Sequence, residues 1–147
     1  MGARDGALKF KFNPYQAGLT KVLGPLESEI MQVVWMLGRA TVAEVHKELQ
    51  SRQPVRREIA YTTVMTTMSR LAEKNVLHRE KPPGQVSFVY APALGQEEFA
   101  TMVVKNVLDS LITEYSDPVF RYFVAYAAEA NPEQRATLAR ALATHEE

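Results

Sequence analysis

The run Tyr61-Thr-Thr-Val-Met-Thr-Thr-Met-Ser-Arg-Leu-Ala-Glu-Lys74 has two sides that ask for different surroundings, and the architecture follows from that division. At about 100° per residue, Val64, Met68 and Leu71 fall in one narrow arc with Ala60 and Tyr61 at its edges, the stripe a surface helix packs inward. The opposite arc carries Thr62, Thr63, Thr66, Ser69, Arg70 and Glu73. Threonine loses rotamer freedom in a helix, so four of them in one helix cost propensity that Ala, Lys or Glu would not. Short hydroxyls and one guanidinium suit a DNA major groove: threonine offers a donor, an acceptor and a methyl for thymine, and arginine forks onto guanine. A solvated polar face would use the same residue types, so the neighbours have to decide.

Downstream, Asn75 is a candidate left-handed C-cap. Two extended runs follow, Val76 to Lys81 and Val86 to Tyr90, separated by Pro82-Pro83-Gly84-Gln85. In the second, Val86, Phe88 and Tyr90 alternate with Ser87 and Val89, the period of two expected of a hairpin arm. Upstream, a polar linker from Ser51 to Glu58 holds Pro54, Arg56 and Arg57. Before it, one helix opens with a capping box of Thr41 and Glu44, runs to about Gln50 and turns Val42, Val45 and Leu49 inward. An earlier helix starts near Pro25 and stops at Gly38, with Leu26, Ile30, Val33 and Leu37 as its core stripe. Trp35 falls on the far side of that stripe, so either this helix is covered on two faces, the simpler expectation, or the indole meets another part of the molecule.

Three helices and a hairpin with basic residues near its tip, within about 70 residues, make the winged helix-turn-helix plan, in which the third helix enters the major groove and the hairpin lies over the adjacent backbone or minor groove. The fold class is mainly α with a small β hairpin, followed by a C-terminal helical region. Thr62, Thr63, Thr66 and Arg70 are the candidate base contacts, with Ser69 beside them. Arg56, Arg57, Tyr61, Lys74, Arg79 and Lys81 are the candidate phosphate contacts.

The rear third carries a helix from about Gln96 to Tyr115, with Phe99, Val103, Val107 and Leu111 in one row and Met102, Val104, Leu108 and Ile112 widening the arc. A second is expected to start at Asp117-Pro118 and present Phe120 and Phe123, and a third at Asn131-Pro132, capped with Gln134 at N3 and carrying Leu138 and Leu142. This is more apolar surface than a three-helix appendage hides alone. Burial against a second copy is the economical solution, with packing back on the front domain as the alternative. The candidate dimer interface is therefore Phe99, Val103, Val107, Leu111, Phe120, Phe123, Leu138 and Leu142. The expected division is a flexible arm over 1–22, a winged-helix DNA-binding domain over 23–94 and a helical dimerisation region over 95–147. Within the arm, Leu8-Lys-Phe-Lys-Phe12 alternates like a short strand.

Across 147 residues the formal net charge is zero, yet residues 1–95 hold thirteen Lys and Arg against eight Asp and Glu, and residues 96–147 hold four against nine. A basic front and an acidic rear fit a polyanion meeting only the front. No apolar run approaches the ~20 residues of a membrane span and no signal-peptide core is visible, so the expectation is a cytoplasmic protein with no membrane association. Without cysteine there is no thiolate metal site or cysteine nucleophile. His46, His78 and His145 are isolated from one another, and His46 reads as a hydrogen-bonded, half-buried side chain. No catalytic constellation, metal site or cofactor is expected, so the chain is not read as an enzyme.

Leu26-Glu-Ser-Glu-Ile-Met-Gln-Val-Val-Trp35, Thr41-Val-Ala-Glu-Val-His46 and above all Ala60-Tyr-Thr-Thr-Val-Met-Thr67 with Arg70-Leu71 and Lys74 resemble the penicillinase-repressor family of BlaI, MecI and CopY type. The resemblance covers residues 23 to about 92 well and continues more weakly to the C-terminus. It implies a homodimeric transcriptional repressor on a palindromic operator in double-stranded DNA, released when the repressor is cut by a regulatory protease or loaded with an inducer. Two departures bear on release. The cysteine cluster of copper-responsive members has no counterpart, and at the Asn-Phe bond cut in beta-lactam-responsive members this chain aligns Tyr122-Phe123. The alternatives are a ligand-responsive winged-helix regulator and a protein-docking winged helix without DNA function.

Overall fold

In the computed structural model, which describes residues 8–52 and 58–145, α1 spans Pro25–Leu37. Proline at its first position gives up a backbone donor that would have no helical partner, and the Glu27 carboxylate accepts from the Gly24 N–H at 3.2 Å. Gly38, at φ 79°, closes the other end. Ile30, Met31, Val33 and Val34 are buried; Leu37, expected in the stripe, is exposed at the last turn. Trp35 is covered on the second face as expected: its indole N–H donates to the Leu94 carbonyl at 2.9 Å, and its ring lies 5.7 Å from that of Phe99.

The second helix, α2, spans Val42–Ser51 and buries Val42, Val45 and Leu49. The Thr41 hydroxyl accepts from the Glu44 N–H at 3.2 Å and donates to the Glu44 carboxylate at 3.3 Å. The cap is thus made, with the return arm going to the hydroxyl instead of the backbone. After the linker, α3 spans Tyr61–Glu73, and Val64, Met68 and Leu71 are fully buried. Its end is a Schellman motif: Val76 N–H donates to the Leu71 carbonyl at 2.9 Å, Asn75 N–H to Ala72 at 3.1 Å, and Asn75 takes φ 62°. Because a Cβ is penalised there, Asn75→Gly should keep or raise the Tm, whereas Asn75→Ala should cost about 1 kcal/mol in denaturant melts.

Strands β1, Leu77–Glu80, and β2, Val89–Pro92, pair antiparallel with Leu77 opposite Pro92 and Glu80 opposite Val89. The second arm starts three residues later than the alternation predicts. Val86 is 91% exposed and Phe88 stands outside the ladder, whereas Tyr90 is buried. The other edge of β2 explains the register: Tyr90 exchanges both backbone hydrogen bonds with Ala40, at 2.8 and 2.9 Å, which locks it between β1 and the α1–α2 turn. Helices α1–α3 and this hairpin share one core and form a winged helix-turn-helix.

Residues 8–22, expected as part of a flexible arm, lie on that core. Lys9 N–H donates to the Lys74 carbonyl at 3.3 Å and Asn13 N–H to Lys21 at 2.6 Å, and Gly18–Lys21 form a 3₁₀ turn. Leu8, Phe10 and Leu19 pack against the buried cluster; residues 1–7 of the expected arm lie outside the described residues.

The chain divides into two units, residues 1–104 and 105–147. Helix α4, Gln96–Glu129, is continuous except at Tyr115, where φ −129° and ψ 44° break it. Two helices meet at that kink, in line with the expected end of one at Tyr115 and start of the next near Asp117-Pro118. Proline's ring conflicts with the carbonyl four residues back, so the distortion falls upstream of Pro118. Helix α5, Pro132–His145, begins as expected with a full capping box: Gln134 N–H donates to Asn131 Oδ1 at 2.8 Å and Asn131 N–H to Gln134 Oε1 at 3.1 Å. Among the described residues no helix is long and apolar enough to cross a membrane.

Candidate nucleic-acid interface

The exposed side of α3 is built by what its buried side needs. With Val64, Met68 and Leu71 held in the core, Thr62, Thr63, Thr66 and Arg70 stand in solvent and line one shallow depression. Thr67 turns inward and donates its hydroxyl to the Thr63 carbonyl at 2.8 Å, which satisfies it without using the outer surface. Met65, between Tyr61 and Ser69 in the i, i+4 row, is 43% exposed. Methionine on a helix is ordinarily a core residue, and here it adds an apolar side chain to a hydroxyl surface.

The entry to α3 is fixed from α2. His46 Nε2 lies 2.7 Å from the Ile59 carbonyl and the Gln50 amide donates to the same oxygen at 3.0 Å, so His46 is the hydrogen-bonded, half-buried residue expected. Its ring meets Tyr61 edge-on at 5.7 Å, setting Tyr61 at the exposed start of α3. Arg56 and Arg57, two of the phosphate candidates, lie outside the described residues.

Beside α3, Arg79 and Lys81 are exposed on the wing and approach Phe88: the guanidinium carbon is 4.5 Å and the ammonium 5.7 Å from the ring centroid. Arg79 also donates to the Ser69 hydroxyl at 3.4 Å. Glu80, between the two cations in sequence, pairs instead with Arg39 of the α1–α2 turn. This aromatic anchor escaped the sequence reading, since the contact depends on how the loop closes across Pro82–Gln85.

Lys74 is not brought together with the threonine face. Its ammonium is 2.7 Å from Glu27 Oε1, tying the end of α3 to the start of α1, and it lines a separate depression with Lys9, Lys11 and Lys21. The candidate interface residues in the rear also divide. Phe99, 2% exposed, packs on Trp35 and is corrected from interface to core, whereas Val103 is half-buried and packs against the same cluster. Val107, Leu111, Phe120, Phe123, Leu138 and Leu142 are half-buried or exposed. Among the described residues no cluster of His, Asp or Glu could hold a metal ion.

Two curated relatives, each a transcriptional regulator BlaI from a strain of Mycobacterium tuberculosis, are 37% identical over 93 residues, which is 63% of this chain and 62% of theirs. The matched segment spans about three fifths of the length of those relatives. A solution structure of the DNA-binding domain of the repressor BlaI is similar at 28% identity and TM-score 0.43, covering 52% of this chain and 85% of that one. Residues 23–144 match the penicillinase repressor family, and the chain belongs to that family.

Proposed function

We propose that the protein is a cytoplasmic, sequence-specific DNA-binding transcriptional repressor that acts as a homodimer on a palindromic operator and is released by an inducing event. The observation that carries this reading is the outward surface of α3, where Thr62, Thr63, Thr66 and Arg70 stand together in solvent with the wing cations Arg79 and Lys81 beside them. The hydroxyls and guanidinium read base edges; Tyr61, Arg79 and Lys81 meet phosphates. Membership of the penicillinase repressor family supports the repressor role, and the Mycobacterium tuberculosis relatives are described as transcriptional regulators. The domain reading follows: a DNA-binding front over about 23–94 and a dimerising rear over 95–147.

Homodimerisation draws support from the rear unit. Among its described residues Ala130 alone is buried, while Val124 is 72% and Leu142 69% exposed, which leaves that unit almost without a core. Exposed apolar surface of this extent marks an interaction face. A two-fold pair would present its two α3 helices to half-sites about one helical turn apart.

Selection of bound genomic fragments tests the proposal and returns the operator. Fluorescence anisotropy against operator and random duplex should then separate two kinds of residue. Arg70→Ala is expected to lose about 1–3 kcal/mol of discrimination at one base position, whereas Lys81→Ala weakens all sequences alike and lowers the salt slope by about one. Binding indifferent to salt would sink the DNA reading, and equal losses on operator and random duplex would remove Arg70 from base reading.

A further inference from the structure

Phe88 is an aromatic ring with no place in the core: it precedes β2, is 42% exposed, and stands where a wing approaching a polyanion gains nothing from an apolar side chain as such. Its neighbours give it a task. Arg79 lies over the ring at 4.5 Å and Lys81 at 5.7 Å, both within cation–π range. Arg79 reaches from there to the Ser69 hydroxyl on α3. Glu80, the acid nearest to both cations in sequence, is engaged by Arg39. The two wing cations are thus held by a ring that leaves their charge available, where a carboxylate would neutralise it.

We infer that Phe88 is a positioning residue of the DNA interface, an aromatic rest that orders Arg79 and Lys81 before phosphate arrives and, through the Arg79–Ser69 contact, sets the angle of the wing against α3. This rests on the DNA-binding reading above. Long basic side chains give up rotamer freedom when they bind, and one already ordered gives up less. The salt slope, by contrast, counts the phosphates neutralised, which depends on how many cations arrive and not on how well ordered they were. Loss of the ring therefore separates from loss of a cation: affinity falls while the slope stays. Ser69 is reassigned as well, from a base contact to the acceptor that steadies Arg79.

The test compares Phe88→Leu, which keeps apolar bulk without a π face, with Phe88→Tyr, which keeps the face. Phe88→Leu is expected to bind operator and random duplex about 3- to 10-fold more weakly, with the wild-type salt slope and Tm, and Phe88→Tyr to restore affinity. In an Arg79→Gln background the Phe88→Leu effect should shrink. In the free protein, the Arg79 δ-methylene protons should show an upfield ring-current shift in NMR spectra that Phe88→Leu abolishes. Absence of that shift in the wild type, or a Phe88→Leu variant that binds as the wild type does, overturns the assignment alone. A wild type that binds no duplex overturns the DNA-binding reading and takes the assignment with it.

Discussion

Phe120→Glu combined with Val124→Glu is expected to convert the protein to a monomer in analytical ultracentrifugation and to weaken binding to a two-half-site operator by about 10²- to 10⁴-fold, the range lost when a second linked contact becomes independent. The residues are four apart in α4, on one helical face, and both are more than half exposed. Placing a carboxylate there costs the single chain little, because the site already faces water; against a second copy it would bury an unpaired charge. Two controls keep the result interpretable. Affinity for an isolated half-site should be unchanged, since α3 and the wing belong to the other unit. Leu142→Glu, on α5, should act in the same direction. A double variant that still sediments as a dimer while Leu142→Glu does too would remove this face from the interface, and a wild type that sediments as a monomer at operator-binding concentrations would end the homodimer reading.

Elements whose role is set by their own residues were legible in the sequence. The buried stripe of α3, the αL cap at Asn75 and the capping box at Asn131 and Gln134 each follow from side-chain chemistry within one or two turns, and each stands as read. What escaped depends on partners far along the chain. Strand β2 begins at Val89 because Ala40, fifty residues upstream of Tyr90, holds its other edge; the alternation of Val86, Phe88 and Tyr90 carries no trace of that. Residues 8–22 have no helical period, and backbone bonds to Lys74 and within the segment order them without one. Along α4 a single apolar row runs from Phe99 to Leu111, and periodicity cannot say where along it the covering surface changes. The structure puts Phe99 in the core, packs half-buried Val103 against it and leaves Leu111 exposed. Of the candidate site, the threonine face needed only the helical wheel, whereas the Phe88 rest and the withdrawal of Lys74 to Glu27 needed the fold.

The two faces of α3 should also separate in opposite directions when each is replaced by alanine. Leu71→Ala removes a fully buried side chain from the point where α3 meets the Schellman turn and is expected to cost about 2–5 kcal/mol of stability, read as a lower urea midpoint with an unchanged m-value. Thr62→Ala with Thr66→Ala replaces two exposed β-branched residues by the best helix former, so stability should hold or rise by about 0.5 kcal/mol per site. Operator discrimination should fall in the same variant, because the hydroxyls and methyls that meet base edges are gone. A solvated face selected only for solubility predicts the stability gain without the binding loss. A face that packs against unrecognised parts of the chain predicts a stability loss. Only a face kept for contact with DNA, at the expense of helix propensity, predicts a more stable protein that reads its operator less well, and a double threonine variant with undiminished operator preference would return α3 to an ordinary surface helix.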